Sequence, residues 1–502
     1  MKAPLSKLLI PLLIAIASGC GGNASHQESH SMFADTLAKN MLTVNSMQKD
    51  LTVLWAAIKE LHPGYGFYTP TAQLQQAYRN VYDGLKTPLS ESQFMDAVYP
   101  FLCQLRCGHT QLKHSANYKP TANEKLPHLP FYVLIQQHKV WITTHQAPEL
   151  HTGDELMEMN GIPVSQMVDH GYNLYCGDGY NETFKELFLS EYDGFEDVCN
   201  KYYHWQPPYQ LKLRTSKGEL KVIKVDAAEN GKELQAEPQQ TVDNFVGWTV
   251  AAEIENSRLR FQKKSSTAWF QVTPFAYTDS TLYQKAFALI KQEEIRNLVL
   301  DVRHNTGGDI RVATRLLAYL ADGDFNIVAE VKSRFTDPAA SPFAQYFDAE
   351  ITKGFKDGFK VEGKSGEWHH VTVTPEFGQL YGPFNPVKKN HFDGKLIVLI
   401  DGATFSSGAL FTAALKAQNK NVKFIGRETA GSEEGCNGMT VQRLTLPNSK
   451  IIVDFPWMRV VSVAKQASRG RGIIPDYIIN YTPQDVVSNN DLDLKKAMSL
   501  VR

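Results

Sequence analysis

The residues with the most chemical potential stand at two strand–turn–helix junctions. At the first, the apolar run Leu298-Val299-Leu300-Asp301-Val302-Arg303 enters the turn His304-Asn305-Thr306-Gly307-Gly308. At the second, Leu396-Ile397-Val398-Leu399-Ile400-Asp401 enters Gly402-Ala403-Thr404-Phe405-Ser406-Ser407-Gly408, and a helical pattern follows. Adjacent glycines after a buried strand expose backbone N–H groups that can approach a ligand closely. A serine hydroxyl at a helix start meets orphan amides and the positive end of the helix dipole, which favour developing negative charge. Singly, each junction is ordinary: Gly-rich turns recur in α/β proteins, and a serine there commonly caps the helix. A competing chemistry is metal binding, because Cys103, Cys107, His109 and His114 are all zinc-ligand types within one short stretch. Their spacing fits no standard zinc module, and an oxidising compartment disfavours free thiolates.

The elements that would position these residues fall into three groups. Over 35–120 the pattern is helical, with Leu51, Leu54, Trp55, Ile58 and Leu61 at helical spacing before the stop His62-Pro63-Gly64. A second helix is expected over about 74–85. A third, from Ser90 to Leu105, opens with Ser90 and Gln93 in capping-box register and leads into Arg106-Cys107-Gly108-His109-Thr110. Over 125–228 strand-like runs dominate, at Phe131 to Ile135, Val140 to Thr144, Gln210 to Arg214 and Glu219 to Val225. Among them, Gly153-Asp154-Glu155-Leu156-Met157-Glu158-Met159-Asn160-Gly161-Ile162-Pro163-Val164 reads as turn, short strand and Asn-Gly turn, and it resembles a conserved stretch of PDZ-like domains. Over 245–485 strands and helices alternate, which describes an α/β domain with a largely buried sheet. Residues 336–392 carry no clear period and read as an insertion.

A chain of 502 residues exceeds what one hydrophobic core usually serves, ~250–300 residues. The formal net charge of −1 provides no global basic field for nucleic acid. Residues 1–19 have the form of an export signal: Lys2 and Lys7, the short apolar run Leu8 to Ala17, then small residues before Cys20. Ile16-Ala17-Ser18-Gly19-Cys20 resembles a bacterial lipobox, which makes Cys20 the expected lipidation site, with 20–34 as a polar tether. Gly21 after the cysteine fits sorting to the outer membrane, on its periplasmic side or at the cell surface. Five cysteines remain, and Cys176 with Cys199, in one segment, form the expected disulfide.

Three segments together resemble the C-terminal processing (tail-specific) peptidases and their tricorn-like and retinoid-binding-protein-like relatives. They are LVLDVRHNTGG, KLIVLIDGATFSSGALFTAALK and RGRGIIPDYII, in the family's order and downstream of the PDZ-like stretch. The resemblance implies a ClpP/crotonase-like α/β core with a PDZ-like domain and an N-terminal helical region. It implies acyl-transfer chemistry with Ser406 as nucleophile, and an oxyanion hole from the N–H of Ser407 with one from Gly307 or Gly308. The lysine of the Ser–Lys branch is replaced here by Gly431, so the tricorn-like branch fits better, and Cys107-Gly108-His109-Thr110 makes His109 the implied base. For the acid, Glu433 and Glu434 are the candidates, because Lys465-Gln466-Ala467-Ser468-Arg469-Gly470-Arg471 contains none. A Cys107–Cys436 disulfide would tie the histidine segment to the 431–437 loop. The implied substrate is a peptide or unfolded protein, with no metal, cofactor or nucleic acid, and the membrane is met through the lipid. The second expectation is a catalytically silent lipoprotein that binds a peptide or small ligand on the same fold.

Overall fold

The computed structural model describes residues 41–119, 127–229, 232–234 and 240–501; Cys20, the leader and the tether lie outside them. The uninterrupted apolar runs become neighbouring parallel strands. Thr267–Val272, Asn297–Asp301, Lys395–Ile400, Lys423–Gly426 and Tyr477–Ile478 pair in parallel, and Ser257–Gln262 and Thr249–Ile254 complete the seven-stranded sheet on the antiparallel edge. Successive side chains of one strand enter opposite cores. Leu298, Leu300, Leu396 and Val398 join the larger core, while Val299, Ile397 and Leu399 pack with Ile425, Leu494 and Ala497. Both faces are dry, so these strands read as continuous hydrophobic runs. Helices Tyr277–Gln292, Ile310–Leu317 and Ser407–Gln418 supply residues to the larger core, and Leu492–Leu500 covers the other face.

The expected N-terminal helices are present as Val44–Leu61, Thr71–Gly84 and Glu91–Cys103. Ser90 and Gln93 form the reciprocal capping box that their spacing predicts. Their buried faces, from Met47 to Leu105, belong to the same core as the α/β sheet, so this region has no core of its own. The chain leaves the third helix through Arg106, whose φ is +51°, and enters the short strand Gln111–Lys113. That strand pairs antiparallel with Ile452–Ser462, Gln111 opposite Asp454. His109, two residues earlier, is therefore held at the edge of a second sheet.

This second sheet went unread in the sequence. Ile452–Ser462 pairs with Gly435–Thr445 on one side and with Gln111–Lys113 and Val328–Ser333 on the other. The aperiodic 336–392 insertion supplies the hairpin Phe359–Ser365/Trp368–Val373, which extends the sheet through Val328–Ser333. Most residues of this hairpin are solvated, so no hydrophobic alternation marked it.

Residues 127–229 form a third sheet in the order Phe131–Gln136, Lys139–His145, Glu155–Met159, Tyr209–Arg214, Leu220–Val225, over a separate core. Asn160 and Gly161 both have positive φ, +50° and +80°, as an Asn-Gly hairpin turn requires. Both expected disulfides are corrected: all five cysteines among the described residues are free and buried. The segment between the expected partners folds into helices that turn Cys199 inward against Met159 Sδ (3.7 Å) and leave Cys176 Sγ 3.7 Å from Cys103 Sγ. Cys107 and Cys436 are likewise unbridged, each buried as a thiol whose pKa is raised by desolvation.

One ion cluster ties the C-terminal helix to the sheet. Arg303 donates to Asp301 (2.6 and 2.9 Å), to Asp491 (2.8 and 3.0 Å) and to Asp493 (2.9 Å). Asp491 also caps helix Leu492–Leu500. Removing the cation leaves buried carboxylates unpaired, so Arg303→Met is expected to destabilise the fold by about 3–5 kcal/mol. Urea unfolding of variant against wild type measures it.

Candidate active site

The two junctions are laced to each other. Asn305, fully buried, donates from Nδ2 to Val272 O (2.9 Å), and its Oδ1 accepts from Gly307 N–H (2.9 Å). Its backbone oxygen accepts from Phe405 N–H (3.0 Å). Ser407 Oγ donates to Gly308 O (2.7 Å), and Thr404 Oγ1 donates to Val302 O (2.9 Å). At Gly307, φ is +109° and a Cβ would lie 2.7 Å from Ser406 Cβ and 3.0 Å from Ser407 N, so the turns meet only because this residue is glycine.

Ser406 precedes helix Ser407–Gln418 with φ +51° and ψ −122°, a backbone conformation costly for a residue with a side chain. Its hydroxyl does not cap the helix. It lies instead 3.0 Å from His109 Nε2. The imidazole stacks on Phe405, centroids 4.6 Å apart, and the adjacent Thr110 Oγ1 is 2.8 Å from His62 Nε2. His62 Nδ1 accepts from Gly64 N–H (2.9 Å), so Nε2 carries the proton and donates to Thr110. Burial lowers His109 to about 4. Burial, with the Arg334 charge, lowers His62 to about 3. His109 is thus neutral at pH 7, the state that can accept a hydroxyl proton.

The other sequence candidates are placed as follows. Glu433 pairs with Lys416 (2.8 Å). Glu434 accepts from Tyr68 Oη (2.6 Å) and Gly470 N–H (2.8 Å). Neither is hydrogen-bonded to His109, whose buried Nδ1 has no partner among the described residues. Gly307 N–H is taken by Asn305, which leaves the amides of Ser407 and Gly308 as the oxyanion candidates. The possible metal ligands disperse: His114 pairs with Glu91 (2.9 Å), Cys103 faces Cys176, and His109 faces Ser406. His304 lies between Asp401 (2.7 Å) and Glu191 (2.9 Å), and the Asp401 charge foremost lifts it to about 11, so it stays protonated. A cavity of about 610 Å³ lined by His304, Asp401, Asp491 and Trp269 does not reach Ser406 or His109. Sequence reasoning missed His62 and Asn305. Asn305 stands in the Gly-Gly turn, but its buried bonds have no linear signature.

The architecture is that of a mixed α/β protein with a serine–histidine pair at a strand–turn–helix junction. Residues 266–479 match the model of peptidase family S41, so the resemblance read from the three motifs holds at the level of this family. The fold is similar to mature CPAF complexed with lactacystin: TM-score 0.61, 16% identity, covering 91% of this chain and 98% of that one. A further structure of mature CPAF gives a TM-score of 0.60 at 16% identity, covering 91% and 97%. Among curated proteins, the Chlamydia pneumoniae protein CPj1016/CpB1054 is 25% identical over 239 residues. That match covers 42% of this chain and 37% of that relative.

Folded His109 and His62 bind protons less readily than the unfolded chain, whose histidines titrate near 6.5. Their contribution to stability is therefore complete above about pH 6.5 and is lost as pH falls toward about 4 for His109 and about 3 for His62. Across this window His109→Gln should lose about one proton's worth of slope, about 1.4 kcal/mol per pH unit. Urea midpoints measured from pH 7.5 to 4.5 test it.

Proposed function

We propose that this chain is a serine-type peptidase in which Ser406 is the nucleophile and His109 the base. The observation that carries this reading is the 3.0 Å contact between Ser406 Oγ and His109 Nε2, made by a serine in strained backbone whose hydroxyl leaves its helix uncapped. Ser406 Oγ attacks a peptide carbonyl carbon as its proton passes to His109 Nε2, and the amides of Ser407 and Gly308 hold the oxyanion. His109 then returns the proton to the leaving amine, the C–N bond breaks, and water activated by His109 releases the acyl group. The match to a peptidase family supports a peptide or protein substrate. The sheet of residues 127–229, with its Asn-Gly hairpin, supports the PDZ-like reading, and such a sheet can take an extended peptide by strand addition. This chemistry calls for no cofactor. The second reading, a silent peptide- or small-ligand-binding protein, is favoured by the absence of a carboxylate hydrogen bond at His109 Nδ1 among the described residues.

Labelling by a serine-reactive fluorophosphonate decides between the two. The peptidase reading predicts labelling of wild type and its loss, by about 1,000-fold or more in rate, in both Ser406→Ala and His109→Ala. Labelling that persists in Ser406→Ala identifies another nucleophile, and an unreactive wild type supports the binding reading.

The export signal and lipobox-like sequence support a protein anchored through lipid on Cys20, with sorting to the outer membrane. Cys20→Ala is expected to abolish metabolic palmitate incorporation and to move the protein out of the membrane fraction. Palmitate retained in the variant would place the anchor elsewhere.

A further inference from the structure

We infer that Asp178 is the carboxylate that positions His109 for proton transfer and supports the imidazolium when it forms. The inference rests on His109 being the base. Asp178 lies between helices Val164–Gly171 and Thr183–Glu191, in a segment to which sequence analysis assigned no role. It is 3% exposed, and its Oδ1 accepts the N–H of Gly108, the residue before His109, at 2.7 Å. The next residue strengthens the clasp: Gly179 N–H donates to Arg106 O (3.0 Å), and Arg106 Nη1 donates to Gly179 O (3.2 Å). Gln111 Nε2 bridges both segments, donating to Gly108 O (2.9 Å) and Cys176 O (3.4 Å). A Cβ at Gly108 would lie 2.7 Å from Phe405 Cζ, the ring on which His109 stacks, and 3.4 Å from Asp178 Oδ1. The histidine turn therefore packs closely against both Asp178 and Phe405.

Two buried polar atoms on the segments joined here have no hydrogen-bond partner among the described residues. When His109 Nε2 accepts the Ser406 proton, Nδ1 carries a hydrogen, and Nδ1 is buried without a partner among the described residues. Asp178 Oδ2 is likewise buried and unpartnered among them. The acceptor and the donor are anchored on adjoining residues, while Glu433 and Glu434 are committed elsewhere. The charged and titratable groups facing Asp178 are Arg459 from strand Ile452–Ser462, Cys107 from the histidine turn and Cys436 from strand Gly435–Thr445. Burial raises Asp178 to about 7, against the Gly108 N–H and the Arg459 charge. Its charge is present above that pH and lost below it. A carboxylate in this low-dielectric setting stabilises an imidazolium far more than it would in water.

The test uses the intact protein and follows the rate of fluorophosphonate labelling from pH 5.5 to 9 in wild type, Asp178→Asn and Asp178→Ala. Circular dichroism checks folding, and the His109 ring shifts are followed by NMR over the same pH range. Asparagine keeps the acceptor for Gly108 N–H and removes the charge. It should label about 100-fold more slowly, without the wild-type rise through about pH 7. Alanine, lacking both, should be slower still. An asparagine variant within twofold of wild type and with an unchanged pH profile overturns the inference. If wild type itself does not label, the peptidase reading fails, and the NMR shifts alone decide: His109 ring shifts with no inflection near pH 7 that Asp178→Asn removes overturn the role of Asp178. Should neither variant fold, a wild-type rate that is flat between pH 6 and 8 overturns it.

Discussion

The buried side chain of Asn305 fastens together three pieces of chain that elsewhere diverge. Its amide holds the end of strand Thr267–Val272, its oxygen closes the Gly307 turn, and its backbone receives Phe405 from the neighbouring junction. Each bond is made without competing water, where an unmet amide would cost about 1–3 kcal/mol. The register of Asn297–Asp301 against Lys395–Ile400, Leu298 beside Leu396, brings the two turns to one level and makes these bonds available. The strained backbone of Ser406 persists because the turn on either side of it is over-determined in this way.

His109 reaches that junction from 297 residues away in sequence. Its approach depends on pairing rather than on proximity along the chain: Gln111–Lys113 docks on Ile452–Ser462, His62 braces Thr110, and the N-terminal helices share the main core. The loop-closure entropy of such a long-range contact grows only logarithmically with separation, and the burial of whole helical faces outweighs it. Geometry at the serine is thus coupled to the stability of the entire core.

Charge is distributed with equal economy around the junction. His304 and His109 are both imidazoles near the same two turns, and their surroundings drive them to opposite states. Asp401 and Glu191 hold His304 protonated, whereas His109 stacks on an aromatic ring with no carboxylate in hydrogen-bond contact among the described residues, and burial keeps it neutral. The same residue type serves as a structural cation at one place and as a proton acceptor at the other because desolvation and a neighbouring charge act in opposite directions.

The sequence by itself determined the parallel sheet, the helical start, the two Gly-rich junctions and Ser406, because buried strands, capping boxes and glycine turns leave local periodic marks. Strand Asn297–Asp301 and the Ser90–Gln93 cap fall where spacing puts them. Only the tertiary structure decided the second sheet, whose solvated hairpin has no hydrophobic alternation, and the bracing of the histidine turn by His62 and Asp178. It also decided that Gly307 gives its N–H to Asn305, that Glu433 and Glu434 serve other partners, and that Cys176 faces Cys103 rather than Cys199. Each of these is a contact between residues far apart in the chain or a choice among equivalent neighbours. A linear pattern records which surfaces must be buried but not which buried polar groups find one another, and that pairing is fixed only when the strands come into register.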